Sequence, residues 1–189
     1  MRGESLEVKS ERLPEGWKCE KIKYIVSLRT SHSLNNKNFI GLENVASWSG
    51  ELTNHQSDSV PEGETMQVNK RDVLFGKLRP YLAKVYLAEN DACCSPEFLV
   101  LRANEDKILP HLLKYIFLNH QIIDEINKST YGTKMPRASW NFIVWGLGNF
   151  VVIMISQEFE PLYRKFHARF NLKEKRAYQG FEVIRTLLL

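Results

Sequence analysis

Cysteine is scarce in this chain and badly placed for cross-linking. Its 189 residues hold three, Cys19, Cys93 and Cys94. An odd count with two adjacent excludes a disulfide framework. No Cys-x-x-Cys accompanies the scattered histidines His32, His55, His111, His120 and His167, so the usual zinc-ligand spacings are missing. Other catalytic signatures are missing too. There is no Gly-x-x-x-x-Gly-Lys-Ser/Thr, no His-Glu-x-x-His, and no Asn-Pro-Pro-Tyr/Phe of the kind that holds a flipped base. Gly146-x-Gly148 is followed by Asn149 and Phe150 without a third glycine, a poor start for a cofactor loop. Long apolar runs are absent. The longest, Phe142 to Ile155, is broken by Gly146, Gly148 and Asn149 and is too short to span a bilayer. The first ten residues lack the apolar centre of a secretory signal. The expectation is a soluble, cytoplasmic protein with no membrane partner.

What is present is a usable core and a local concentration of positive charge. Hydrophobic residues make up 43% of the chain and aromatics 11%, enough for one domain with an appended element. The calculated pI of about 8.9 suits an anionic partner without demanding one. Residues 70–84 hold Lys70, Arg71, Lys77, Arg79 and Lys84 against Asp72, a net +4 that equals the net charge of the whole chain. This stretch opens apolar at Val73-Leu-Phe75, turns at Gly76, and then interleaves its cations with Pro80, Tyr81 and Tyr86. Cations among flat rings suit a nucleic-acid-facing loop, with charge for phosphate and rings for sugar or base. An ordinary strand and turn with a solvated basic face has the same composition. A second basic segment, 128–137, carries Lys128, Lys134 and Arg137 with no acid.

Read in order, residues 1–12 form a flexible lead-in, and Leu13-Pro-Glu-Gly-Trp17 a turn with an anchoring ring. Cys19 to Leu28 fits a short helix or strand. Phe39-Ile-Gly-Leu-Glu-Asn-Val45 predicts a strand. Ser47 to Glu64 is the longest polar stretch, a loop whose Trp48, amides and hydroxyls suit base edges as well as plain solvent. Strands are expected at 66–68, 73–75, 84–88 and 98–102, with Cys93-Cys-Ser-Pro96 among the connectors. Leu109, Leu112, Leu113, Ile116, Ile123 and Ile126 recur at helical spacing and predict one helix near 109–129. Then follows the basic loop Thr130-Tyr-Gly-Thr-Lys-Met-Pro-Arg137, anchored by Trp140. Phe142 to Ile155 fits a strand pair, or a strand and turn. A second helix is expected over 156–176, where Phe159, Leu162, Phe166 and Phe170 share one face and bases fill the later turns. Glu97 is the acid most exposed to burial, between Pro96 and Phe98-Leu-Val100. It has no acid–Lys neighbour of the kind metal-dependent nucleases use, and reads as a carboxylate that caps amides or pairs with a basic loop.

Five segments, in order, resemble one family. Leu13-Pro-Glu-Gly-Trp17, Phe39–Val45, Asp72-Val-Leu-Phe-Gly-Lys-Leu-Arg-Pro-Tyr-Leu-Ala-Lys84, Cys94-Ser-Pro-Glu-Phe-Leu-Val-Leu-Arg102 and Ser129–Arg137 with Trp140 are similar to a target-recognition domain of the specificity (S) subunit of type I restriction-modification systems. The likeness runs over about residues 13–143. It implies an α+β fold, a mixed, β-rich recognition domain over 13–155 followed by a C-terminal helical segment, 156–189. It also implies a non-enzymatic protein that binds one half of a split double-stranded DNA target. Partner subunits then do the chemistry: a modification subunit methylates adenine with S-adenosylmethionine, and a restriction subunit uses ATP and Mg. This chain needs no cofactor or metal of its own. The resemblance makes Lys77, Arg79, Tyr81, Lys84, Lys134 and Arg137 candidate DNA contacts, most of them to phosphate, with the Ser47–Glu64 loop reading bases.

The likeness departs after Phe142. The family continues with a Pro-rich segment and a long spacer helix, whereas this chain has Val144-Trp-Gly-Leu-Gly-Asn-Phe-Val-Val-Ile-Met-Ile155. Residues 156–176 then supply a shortened spacer for a half-length subunit that dimerises or pairs with a second half-subunit. Otherwise the tail is degenerate, and the sequence leans to that side. Two rival readings are a small metal-dependent nuclease acting through Glu97 and an interaction module that binds the modification subunit without DNA.

Overall fold

A computed structural model describes residues 18–33, 38–53, 63–130, 135–147 and 151–154. The lead-in, the Leu13–Trp17 turn, residues 54–62 of the polar loop, Lys134 and the segment 156–189 lie outside the described residues. Near the N-terminus β1 (Lys18–Lys21), one helical turn α1 (Ile22–Ile25) and β2 (Val26–Arg29) follow one another without a loop. Next come β3 (Phe39–Ile40), β4 (Met66–Val68), β5 (Val73–Gly76), β6 (Val85–Leu87), β7 (Ala92–Cys94) and β8 (Phe98–Ala103). The helices α2 (Pro110–Phe117) and α3 (His120–Lys128) precede a last strand, β9 (Val151–Met154).

Strand β5 is the centre. All four of its residues are buried, and it lies antiparallel to both neighbours in a sheet of order β2-β8-β5-β6. Its side chains alternate between two cores, as a strand covered on both faces requires. Val73 and Phe75 join the larger core, with α2, α3, Ile143 and Leu147. Leu74 points the other way, to Val68, Cys94, Phe98 and Val100. The unbroken apolar run Val-Leu-Phe is the sequence trace of this double burial. Phe75 and Phe117 meet at 5.1 Å between ring centroids and tie the sheet to α2.

A second sheet, of order β3-β7-β4, covers the Leu74 face, with β3 parallel and β4 antiparallel to β7. A two-stranded antiparallel ribbon joins β1 to β9. The α+β class expected from the sequence is what the chain adopts. Cys93 and Cys94 pack as small side chains, neither in a disulfide and both fully buried. Burial pushes the Cys94 thiol up to about 12, with Cys93 adding to the rise, so it stays protonated at neutral pH.

Several elements differ from expectation for identifiable reasons. The helix expected near 109–129 is two helices. Asn119 interrupts it by accepting hydrogen bonds from the amides of Gln121 (2.9 Å) and Ile122 (3.4 Å), which makes it the N-cap of α3. Of the expected Phe39–Val45 strand only Phe39 and Ile40 pair in a strand, and Val45 makes an isolated bridge to Leu52. Leu42–Asn44 turn instead into a 3-10 turn, closed by the Gly41 amide donating to Asn44 Oδ1 at 2.6 Å. The strands β4 and β5 are present but belong to different sheets. The connector containing Cys93 and Cys94 is the central strand of the second sheet. Residues 18–29 contain strand, helical turn and strand, and Phe142–Gly146 form a π-type turn before β9.

Between β4 and β5 sits Asp72, which the sequence offers only as one acid among cations. Its side chain is fully buried. Asp72 Oδ2 accepts from Arg29 Nε (2.9 Å) and the Asn69 amide (2.8 Å), and Oδ1 accepts from Arg102 Nη1 (3.0 Å). The carboxylate thereby joins β2, β8 and the entry to β5. Replacing it by asparagine keeps the volume but leaves two guanidinium groups facing a neutral amide. Asp72→Asn should lower unfolding free energy by about 3 kcal/mol, the low end for a broken buried pair because both arginines are partly solvated. Urea denaturation reads this as a lower midpoint with an unchanged slope; an unaltered midpoint would show that the carboxylate does not hold the strands.

Candidate nucleic-acid interface

The two basic loops singled out in the sequence, around 77–81 and 135–137, meet at one end of the four-stranded sheet. The meeting is made by main-chain hydrogen bonds. Gly76 ends β5 where the chain returns closely past it: its amide donates to the Lys84 carbonyl at 2.8 Å. A Cβ on Gly76 would stand 3.0 Å from Leu42 Cδ2 and 3.3 Å from Lys84 O. The next residue, Lys77, donates its amide to Glu97 O (2.9 Å) and accepts at its carbonyl from Ala138 N (2.8 Å). Leu78 bridges to Arg137, and the Arg79 amide donates to Pro136 O at 2.8 Å. Three segments far apart in sequence are fixed to one another here.

Pro80–Leu82 then form a single 3-10 turn flanked by two non-glycine residues in the left-handed region, Arg79 (φ 52°) and Ala83 (φ 43°). Each costs about 1 kcal/mol or more and persists only where surrounding bonds fix it. Here the bonds are Leu82 N to Arg79 O (2.9 Å) and Ala83 N to Pro80 O (2.8 Å), with the Arg79–Pro136 bond behind them. The turn presents Tyr81, 43% exposed, beside the exposed Arg79. Across the junction Met135 is half exposed and Arg137 exposed, while Lys77 is half-buried.

Arg137 is already engaged. Its Nε donates to Glu97 Oε2 at 3.2 Å and its Nη2 to Glu97 Oε1 at 2.9 Å, a two-point pair with the side chains 49% and 31% exposed. The Arg137 guanidinium beside Glu97 holds its carboxyl below the usual carboxylate range, and Lys77 acts in the same direction. Lys84 is engaged differently. Its ammonium donates to the carbonyls of Leu42 and Val45, both at 2.8 Å, which ties the 3-10 turn after β3 to the end of the basic stretch. Lys134 lies outside the described residues. Lys77, Arg79, Tyr81 and Arg137 are therefore brought together, with Lys84 close in the chain but committed to the fold.

Trp48 opens the polar loop in a left-handed conformation (φ 61°) and stacks on His120 at 4.1 Å and 21°. Its amide donates to the Ala83 carbonyl at 3.2 Å. The ring pins the described start of the loop to α3, and the amide pins it to the residue that closes the Pro80–Leu82 turn. A second group of cations is taken up by acids. Arg29 and Arg102 converge on Asp72, and Arg71 makes a two-point pair with Glu105 (3.1 and 2.6 Å). The signal available was a lone acid, Asp72, inside a basic run. A further pair of exposed rings lies on α1 and the π-type turn. Lys23 Nζ stands 4.7 Å from the Tyr24 ring centroid and 4.6 Å from that of Trp145, which is 69% exposed. Among the described residues no three His, Cys, Asp or Glu side chains gather in a way that would hold a metal ion. Among them no helix is long and apolar enough to cross a membrane.

The chain is a β-rich α+β domain that gathers cations and an exposed ring on one loop junction. No protein-family model matches the sequence, and no curated protein matches it. Solved structures do match. One is a chain of a type I R-M system, studied for its complex assembly and conformational transition, with a TM-score of 0.63 and 21% identity. Another is the HsdS subunit from Thermoanaerobacter tengcongensis, with a TM-score of 0.64 and 20% identity. Each match covers 92% of this chain and 45% of the other, so the chain spans under half the length of either. The chain has the fold found in these proteins.

The Glu97–Arg137 pair has a defined pH dependence. A carboxylate whose folded pKa is depressed contributes stability above its ordinary range and loses it as pH falls through the depressed value. Carboxyl-carbon NMR should place Glu97 below the ordinary glutamate value, and Arg137→Ala should return it toward that value. An unshifted Glu97 in the parent would mean the pair does not form in solution.

Proposed function

We propose that this chain is a DNA target-recognition domain of a type I specificity subunit, binding one half of a bipartite duplex target. The observation that carries the reading is the junction itself. Two basic loops more than fifty residues apart are clamped into one face with an exposed ring, on a fold found in the HsdS subunit. Lys77 and Arg79, the cations of that face without a carboxylate pair among the described contacts, contact phosphate and set register; Tyr81 packs on sugar or base.

In this reading the chain carries no catalysis. It positions DNA for a modification subunit that brings S-adenosylmethionine and for a restriction subunit that brings ATP and Mg, all in the cytoplasm. The chain aligns with 45% of the HsdS neighbour, a length that fits one recognition domain reading one half-target.

The test is duplex binding by the full chain, alone and with a type I modification subunit, across a salt series. Affinity should fall steeply with salt, because each neutralised phosphate releases counterions. Lys77→Ala and Arg79→Ala should each weaken binding to all duplexes and reduce the logarithmic salt slope by about 1. Wild-type binding with variants of unchanged slope would remove these residues from the interface. No duplex binding even with the modification subunit would overturn the reading.

A further inference from the structure

The Glu97–Arg137 pair gives Arg137 a different task from its neighbours. Glu97 occupies one edge of the guanidinium, through Nε and Nη2. The planar group has five N–H donors in a fixed fork. Three remain: one on Nη1 and one on Nη2 lie parallel along the terminal edge, next to the edge that Glu97 fills, and the second on Nη1 points back toward Cδ. The pair as a whole carries no net charge, so it adds little to counterion release and is a poor substitute for Lys77 or Arg79 on phosphate. A directed pair of donors on a neutralised, half-exposed guanidinium suits two adjacent acceptors held in a plane. In the major groove O6 and N7 of guanine present that pattern, and arginine is its commonest partner.

The backbone meets the further requirement of base readout, that the reading group be held on a rigid frame. Arg137 bridges to Leu78, Ala138 is bonded to the Lys77 carbonyl, and the Lys77 amide is bonded to the Glu97 carbonyl. Both partners of the ion pair are therefore anchored to the same three-residue stretch. We infer that Arg137 reads a guanine of the half-target through its free Nη1–Nη2 edge, and that Glu97 is the positioning residue that aims it.

An internal control exists. Arg71 and Glu105 form a similar pair, but beside Asp72 at the opposite end of β8 and β5. The six residues of β8 lie between the two sites, roughly 20 Å. Glu105→Gln should leave sequence preference alone.

This inference rests on the DNA-recognition reading, and the experiment separates the two. The full chain, with the modification subunit present, selects duplexes from a randomised library, and the selected motif is then measured base by base. The parent should prefer G·C at one position that both Arg137→Ala and Arg137→Lys lose, by about ten- to a hundred-fold against the wrong pair. The salt slope should be unchanged. Glu97→Gln, nearly identical in volume, should weaken the preference at that same position only, with the melting temperature of each variant measured alongside. Uniform weakening of all duplexes by Arg137→Ala, with the slope reduced by about 1, would make Arg137 a phosphate contact and overturn the inference while sparing the reading. An unaltered preference in Glu97→Gln would overturn the positioning role. A parent that binds without preference, or not at all, would overturn both.

Discussion

Everything distinctive about this face depends on Lys77, and on its backbone rather than its charge. One peptide segment satisfies the Glu97 carbonyl on one side and the Ala138 amide on the other. These two bonds, with the one from the Arg79 amide to Pro136, give the loop after β5, the turn before β8 and the segment after α3 a common frame. With them, residues separated by twenty to about sixty positions share a rigid junction whose geometry does not depend on long side chains. The left-handed Arg79 and Ala83 belong to the same constraint. Such conformations are unfavourable in a free chain, and here they are held by bonds on both sides of the turn.

The same fold separates structural cations from available ones. Arg29 and Arg102 neutralise a carboxylate that has no access to water, and Lys84 donates to the carbonyls of Leu42 and Val45. Charge counting treats these residues alike with Lys77 and Arg79. Their hydrogen bonds do not. A buried ion must be paired or it destabilises the protein, whereas a solvated one is free to meet phosphate. Arg137 stands between the groups, paired but half exposed, which is why its role turns on direction rather than charge.

Much of this was legible in the sequence, and the misses follow a physical pattern. The doubly covered strand β5 announced itself in Val73-Leu-Phe75, because no polar position interrupts the run. The helical region was legible from its apolar spacing, but the break at Asn119 was not, since an N-cap inside a continuous apolar period leaves the stripe intact. The pairing of Ala92–Cys94 between β3 and β4 could not be read from a strand of three residues. Partners within a sheet are set by tertiary register, which a single strand's pattern does not encode. At the interface, charge and ring content pointed to both loops, and a Glu97 pairing with a basic loop was among the readings offered. That Lys84 serves carbonyls and that Trp48 stacks on His120 depends on residues across the fold. Neither was visible in local sequence.

In the proposed reading DNA meets the junction of 77–82 with 135–138. Hydrogen–deuterium exchange of the full chain, with and without a selected duplex, tests it most directly. The account predicts slowed exchange at the amides of those two segments, with the Lys23–Trp145 face unchanged. Protection confined to that other face, or duplex binding that leaves both loop segments exchanging as before, would contradict it.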